Sequence, residues 1–115
     1  MPAIDNIPRR YTTATIAASG TTSDAVDCTR NSIVGIYTPA ALTGTALTFT
    51  SSSDNSTFVT VLEVGGAATY SVTMAASRYI PVDPRVFAGM QHVKLVSGST
   101  EASARAFTCV LRPVS

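Results

Sequence analysis

The sequence predicts an all-β protein, an antiparallel β-sandwich or jelly roll of eight or nine short strands. Short apolar or alternating segments recur along the 115 residues, separated by clusters of glycine, proline, serine, asparagine and aspartate. Residues 32–62 show the pattern most clearly, as strand, crossover, strand, turn and strand. No apolar pattern of helical period extends beyond one turn, and a chain of this length suffices for one core.

The first half of the chain contains five predicted strands. In chain order they are residues 11–18, 25–28, 33–37, 46–50 and 58–62. Within the second of these, Val26 and Cys28 share one face and Asp27 takes the other. The third is apolar on both faces, which predicts a central strand covered on each side. Leu47 and Phe49 alternate with threonines, so the fourth strand has one buried face.

The second half contains the remaining strands and one helical turn. The predicted strands are residues 70–74, 78–82, 92–97 and 105–112. Asp83 before Pro84 is a favourable N-cap with proline at the first helical position, so a single turn should run to Phe87 and end at Gly89. The last strand should direct Phe107 and alternate residues after it inward.

Cys28 and Cys109 are the two cysteines of the chain. Both fall on inward strand positions, and the preferred interpretation is two free thiols, with one disulfide as the alternative. Neither has a second cysteine or a histidine at a spacing typical of metal ligands, so zinc is not expected.

Composition indicates a surface that associates. Charged residues make up 13% of the chain, against about 25% in typical soluble proteins, while 30 of 115 residues are serine or threonine. The net charge is +1 with one lysine, so nucleic acid is not an expected partner. No segment approaches the roughly 18 apolar residues of a membrane-spanning helix, and the N-terminus lacks a signal-peptide pattern, so we expect synthesis in the cytoplasm without export.

The sequence offers no catalytic constellation. His92 is the sole histidine and has no nucleophile or acid beside it. Glu63 and Glu101 are solitary, which gives little support to a two-carboxylate glycosidase. The tyrosines resemble strand residues, and without tryptophan a stacking platform for sugars or bases is not expected. We therefore expect neither enzymatic activity nor a cofactor.

Residues 1–10 predict an extended N-terminal arm, followed by a single domain over residues 11–115. Ile4 and Ile7 recur as apolar positions that could dock on a partner, and Arg9 and Arg10 follow them. A frayed terminus is the equal alternative. If the arm docks, these four residues are the candidate interaction site.

Three segments, in order, resemble small virion proteins encoded among the structural genes of tailed bacteriophages and prophages. They are IVGIYTPAALTGTALTFTSSSDNSTF, RYIPVDPRVFAGMQHVKLVSGS and ARAFTCVLRP. The positions that carry the resemblance are Gly35, Ile36, Tyr37, Pro39, Ala40, Leu47, Phe49, Ser53, Asp54, Tyr79, Ile80, Asp83, Pro84, Phe87, Ala88, Gly89, Lys94, Leu95, Ser97 and Gly98. Asn55 stands where a glycine often follows the aspartate, which should alter the turn more than the fold.

The resemblance implies a β-sandwich virion protein such as a decoration, or cement, protein on the capsid exterior. Its partners would be the major capsid protein and further copies of itself, as homotrimers at threefold junctions bridged by residues 1–10. Two other roles stay open. One is a host- or glycan-binding module of a head fibre or tail, which exposed aromatic residues at one loop end would favour. The other is a tail or connector component with sixfold assembly.

Overall fold

A computed structural model describes residues 9–113 as two antiparallel sheets that pack on each other. The strands are β1 (Arg10–Ile16), β2 (Val26–Asp27), β3 (Asn31–Tyr37), β4 (Ala46–Ser52), β5 (Val59–Thr60), β6 (Ser71–Thr73), β7 (Tyr79–Pro81), β8 (His92–Ser97) and β9 (Arg105–Pro113). One helical turn, α1 (Pro84–Phe87), lies between β7 and β8. The predicted all-β sandwich is confirmed.

The two sheets combine strands that are distant in sequence. The first sheet has the order β1-β9-β3-β7, and the second has the order β2-β8-β4-β5, with β6 also paired to β4. Strand β9 therefore lies between β1 and β3, so the last described strand joins the first part of the chain to its centre. These long-range pairings position the surfaces described below.

Apolar and polar residues alternate along the strands, and the apolar ones form the core, as the sequence predicts. Leu47 and Phe49 on β4, Val93 and Leu95 on β8, and Phe107 on β9 are all fully buried. Where the phenyl rings meet, Phe49 packs edge-on against Phe87 of α1, with ring centroids 4.9 Å apart. Period-two patterning thus decides which side chains fill the space between the sheets.

The helical turn α1 begins and ends as its sequence predicts. The Asp83 carboxylate accepts a hydrogen bond from the Arg85 N–H at 3.0 Å, and Pro84 occupies the first turn. Gly89 follows with a φ of 87°, a left-handed conformation that favours glycine. The turn buries Val86 and Phe87 against the core.

Strand β3 departs from its prediction on one face. Its pairing with β9 shifts between Ile33 and Gly35, which is a β-bulge at Val34. The extra residue allows Ile33 and Ile36, three positions apart, both to point into the core. The outer face is covered only in part: the Tyr79 ring lies over Gly35 and Val34 is half-buried, but Tyr37 at the end of the strand remains 48% exposed.

Strand boundaries differ from the predictions mainly where pairing is short. Strand β5 spans two residues, although the Val61 N–H beyond it still donates to the Phe49 carbonyl at 3.0 Å. Strand β1 begins at Arg10, a residue assigned above to the arm. Ile4 and Ile7 lie outside the described residues.

The two cysteines are buried and form no disulfide with each other. Burial raises the pKa of both thiols to about 12, and the nearby Asp27 carboxylate adds to the increase at Cys28. Both thiols are therefore protonated at neutral pH, and the interpretation as inward free cysteines is confirmed.

Candidate functional site

Among residues 9–113, the exposed large apolar side chains form two groups on different sheets. The first comprises Tyr11, Tyr37 and Tyr79 on the first sheet, and the second comprises Val59, Leu62 and Val64 at and beyond β5. We call the outer side of the first sheet around the three tyrosines the tyrosine face. We call residues 59–70 the valine hairpin. Contiguous exposed apolar surface is typical of contact sites, whereas scattered residues are not.

Cross-strand pairing assembles the tyrosine face. Tyr37 lies opposite Tyr79 in the β3–β7 pair, and their ring centroids are 4.7 Å apart. Tyr11 lies opposite Val110 in the β1–β9 pair, and Val110 in turn lies opposite Gly35. Four strands thus contribute to one apolar surface.

Gly35 is required by the position of the Tyr79 ring. A Cβ atom at residue 35 would overlap the Tyr79 phenol, because the ring lies directly over the glycine backbone. The Tyr79 ring thereby covers the backbone of β3 at Gly35, where no side chain shields it. Tyr79 is nevertheless 45% exposed, so its other side is open to a partner.

The tyrosine face contains a depression of about 250 Å³ with basic residues at its margin. Its lining residues are Arg9, Tyr11, Val34, Tyr37, Tyr79, Val110 and Arg112. In the hydrogen bonds and ion pairs of residues 9–113, neither Arg9 nor Arg112 has a side-chain partner. The depression therefore combines aromatic rings with positive charge, a composition that favours an apolar or acidic contact.

The structure separates the two predicted arginines of the interaction site. Arg9 lines the depression, but Arg10 lies on the opposite side of β1 from Tyr11, because side chains alternate along a strand. The expectation that the tyrosines are ordinary strand residues missed this surface. They are strand residues, and three of them meet on one exposed face. They do not gather at a loop end.

The valine hairpin extends from the edge of the second sheet. The Tyr70 N–H donates to the Val61 carbonyl at 3.0 Å, and the Glu63 N–H donates to the Ala68 carbonyl at 2.8 Å. Gly65 and Gly66 form its turn, with φ values of 96° and 74°. Leu62 and Val64 are exposed aliphatic residues that flank Glu63 in sequence, and the Glu63 side chain points to the opposite face of the hairpin from Leu62.

Glu63 differs from the other acidic residues of the described chain. The carboxylates of the other five, Asp24, Asp27, Asp54, Asp83 and Glu101, each accept at least one hydrogen bond. The exposed Glu63 carboxylate accepts none from residues 9–113. Its charge is thus available to a partner.

Glu101 is fully buried and connects the loop before β4 to the end of β8 and the start of β9. Its carboxylate accepts hydrogen bonds from the Thr43 N–H at 2.8 Å, the Gly44 N–H at 2.9 Å and the Ser97 hydroxyl at 2.7 Å. The Arg105 guanidinium adds an ion pair at 2.9 Å. The prediction of a solitary Glu101 missed Ser97 and Arg105, each four residues away, as well as Thr43 and Gly44 from a distant loop. With all its acceptor capacity used inside the protein, Glu101 has a structural role.

Acid should destabilise the protein through Glu101 and Asp54. Burial alone would raise the pKa of Glu101, but its hydrogen bonds outweigh burial and lower the pKa from 4.5 to about 2. Hydrogen bonds from the Thr57 N–H, the Ser52 hydroxyl and the Ser56 N–H lower the pKa of Asp54 from 3.8 to about 2. Between the ordinary pKa values of these carboxyls, 4.5 and 3.8, and their value of about 2 in the folded protein, the unfolded chain binds more protons than the folded chain.

We therefore expect the free energy of unfolding to fall as the pH drops from about 4.5 to about 2. Urea titrations at several pH values in this window measure the effect. The fall should be smaller in Glu101→Gln, which has no carboxylate to protonate there. Equal pH dependence in the two proteins would contradict the assignment to Glu101.

Residues 9–113 show no arrangement suited to a metal ion. No three histidine, cysteine, aspartate or glutamate side chains in this range lie close enough to bind one. His92 lies opposite Asp27 and Ser52 in the second sheet, as a strand residue. The described part of the chain also contains no helix long and apolar enough to cross a membrane.

The sequence matches no protein-family model and no curated protein. Among solved structures, the SPBc2 prophage-derived protein YomS is similar with a TM-score of 0.55 at 11% identity, over 90% of this chain and 94% of YomS. The chain shares its fold with YomS. A protein of the disulfide-linked pili of Bacillus endospore appendages gives a TM-score of 0.43 at 14% identity, over 95% of this chain and 89% of that one.

Proposed function

We propose that the protein is a structural component of a tailed-phage or prophage virion, which decorates the capsid exterior as an oligomer. The observation that carries the proposal is the tyrosine face, where Tyr11, Tyr37 and Tyr79 are exposed together beside Arg9 and Arg112. Tyrosine and arginine are enriched in protein–protein contacts because they combine large apolar area with hydrogen bonding. Such a surface suits a fixed contact in an assembly.

Four further observations support a structural role. The fold is that of a prophage-derived protein, and the sequence segments described above resemble phage virion proteins. Charged residues are scarce at 13%, which suits a surface that is covered in a particle. Glu101, the one fully buried carboxylate of residues 9–113, has its hydrogen-bonding capacity satisfied within the fold, which suits a rigid scaffold.

In this proposal the major capsid protein is the principal partner, and the decorating unit is a homotrimer. Residues 1–8 contact neighbouring capsid subunits, with Ile4 and Ile7 as apolar contacts. The tyrosine face mediates contacts between copies. Arg9 connects the two regions, because it follows the arm in sequence and lines the depression.

The test is the mass of the purified protein in solution, alone and after mixing with emptied capsids of its phage. We expect a trimer that co-sediments with capsids and raises their melting temperature. A variant that lacks residues 1–8 keeps every described strand and should remain folded and trimeric but lose capsid binding. A wild-type monomer that does not sediment with capsids would overturn the proposal.

A second candidate is a module that binds host glycans, which the exposed tyrosines with adjacent arginines favour. Aromatic rings and guanidinium groups together suit an anionic saccharide. In this case the protein would be monomeric in the same sedimentation experiment, and acidic polysaccharide would shift the tyrosine fluorescence. Loss of that shift in Tyr37→Ala and Tyr79→Ala would locate the site.

A further inference from the structure

We infer that the valine hairpin of one copy docks in the depression of the tyrosine face of a second copy, so that the chains join head to tail. This inference rests on the proposed function, in which the protein acts as a homo-oligomer. It specifies which two surfaces meet.

The apolar character of the two surfaces is complementary. The exposed large apolar side chains of residues 9–113 divide into an aromatic group around a depression and an aliphatic group on the hairpin. Leu62 and Val64 on the hairpin are 47% and 57% exposed. Their contact with tyrosine rings would remove apolar area from water on both copies, which favours association.

The charges are complementary as well. Glu63 lies between Leu62 and Val64, and its carboxylate accepts no hydrogen bond from the described residues. The depression carries Arg9 and Arg112, whose guanidinium groups have no partner there either. Because side chains alternate along an extended segment, Glu63 points to the opposite face of the hairpin from Leu62. A hairpin tip in the depression would therefore place Leu62 against the tyrosine rings and the unpaired Glu63 carboxylate beside the two unpaired arginines at the margin. Opposite charges placed in this way determine orientation and favour the correct partner.

Symmetry distinguishes this interface from simple pairing of two tyrosine faces. If two such faces met, Arg9 and Arg112 of one copy would approach the same arginines of the other, and like charges would oppose contact. When the hairpin of one copy contacts the tyrosine face of the next, every copy still has one hairpin or one tyrosine face free for a further copy. Such a head-to-tail interface closes into a ring when the rotation between neighbours permits it, and 120° gives the proposed trimer.

Charge reversal tests this pairing. Glu63→Arg places three positive groups together, and Arg112→Glu places two acids together, so each single variant should weaken self-association about a hundredfold. The double variant restores opposite charges and should recover most of the association. Sedimentation equilibrium of the wild type, both single variants and the double variant measures these changes.

A matched control reverses a neighbouring charge outside the depression. Arg10→Glu changes the net charge as Arg112→Glu does, but Arg10 lies on the other side of β1 and should leave association unchanged. Thermal unfolding checks that each variant is folded. If the single variants associate like the wild type, or if the double variant fails to recover, the docking is wrong.

The same series separates this inference from the proposed function. A wild-type oligomer that binds capsids but is insensitive to both single reversals would overturn the docking and retain the capsid role. A wild-type monomer would overturn the docking, and capsid co-sedimentation would then decide the proposed function by itself. Dissociation by either single reversal with recovery in the double variant supports the docking.

Discussion

Replacement of Glu101 with alanine is expected to lower the free energy of unfolding by about 3–5 kcal/mol. The carboxylate is fully buried, and its removal leaves the guanidinium of Arg105, only 13% exposed, without its counter-charge. The N–H groups of Thr43 and Gly44 and the Ser97 hydroxyl lose their acceptors at the same time. Unsatisfied buried groups carry their full desolvation cost, so the loss should exceed that of an ordinary hydrogen bond. Urea unfolding followed by circular dichroism measures it.

Glu63→Ala is the matched control for this prediction. The same chemical change occurs at an exposed carboxylate that accepts no hydrogen bond from residues 9–113, so the monomer's stability should change by no more than about 0.5 kcal/mol. This comparison requires conditions under which the wild type is monomeric, because Glu63 also belongs to the proposed interface. If Glu101→Ala costs as little as Glu63→Ala, the buried network does not stabilise the fold.

The positions of the strands and the residues that point into the core were predictable, because both depend on the local sequence. A strand has a period of two, so Leu47, Phe49, Val93 and Leu95 indicate their own buried face without knowledge of the partner strand. The cap at Asp83 was predictable for the same reason, since an aspartate before a proline specifies a helix start within a few residues.

The tyrosine face was not predictable, because it depends on which strands pair. Tyr11 is near the start of the chain and Val110 is near its end, yet they are directly opposite in the first sheet. Tyr37 and Tyr79 meet through the β3–β7 pair. Each tyrosine alone has the pattern of a strand residue, and only the strand order places the three together.

The bulge in β3 and the role of Glu101 could not be predicted from the sequence either, because both depend on contacts with other segments of the chain. A regular strand would place Ile33 and Ile36 on opposite faces, so an apolar run of this spacing indicates a strand covered on both sides. The shift at Val34 gives another solution, in which both isoleucines enter the core and the other face is only partly covered. Glu101 lies in a loop, and the pattern of residues around it does not reveal partners at Thr43 and Gly44.

Replacement of Phe87 with alanine is expected to lower the free energy of unfolding by about 3–5 kcal/mol. Phe87 is fully buried at the end of α1, and its ring packs edge-on against Phe49 and Tyr70 at centroid distances of 4.9 and 5.9 Å. Because alanine leaves a cavity between α1 and the second sheet, the loss combines transfer free energy with lost packing. The helical turn itself should persist, since Asp83 and Pro84 still begin it. Denaturant titration measures the loss.

Phe58→Ala provides the comparison within the same chain. Phe58 is half-buried and contacts the Lys94 ammonium at 4.4 Å from the ring centroid, so its removal should cost only about 1 kcal/mol. The chemical change is identical, so the two variants compare loss of a fully buried ring with loss of a half-buried ring that also contacts Lys94. Equal losses would mean that Phe87 is less enclosed than the T-shaped cluster indicates. A much larger loss at Phe87 would show that α1, although only one turn long, completes the core between the two sheets.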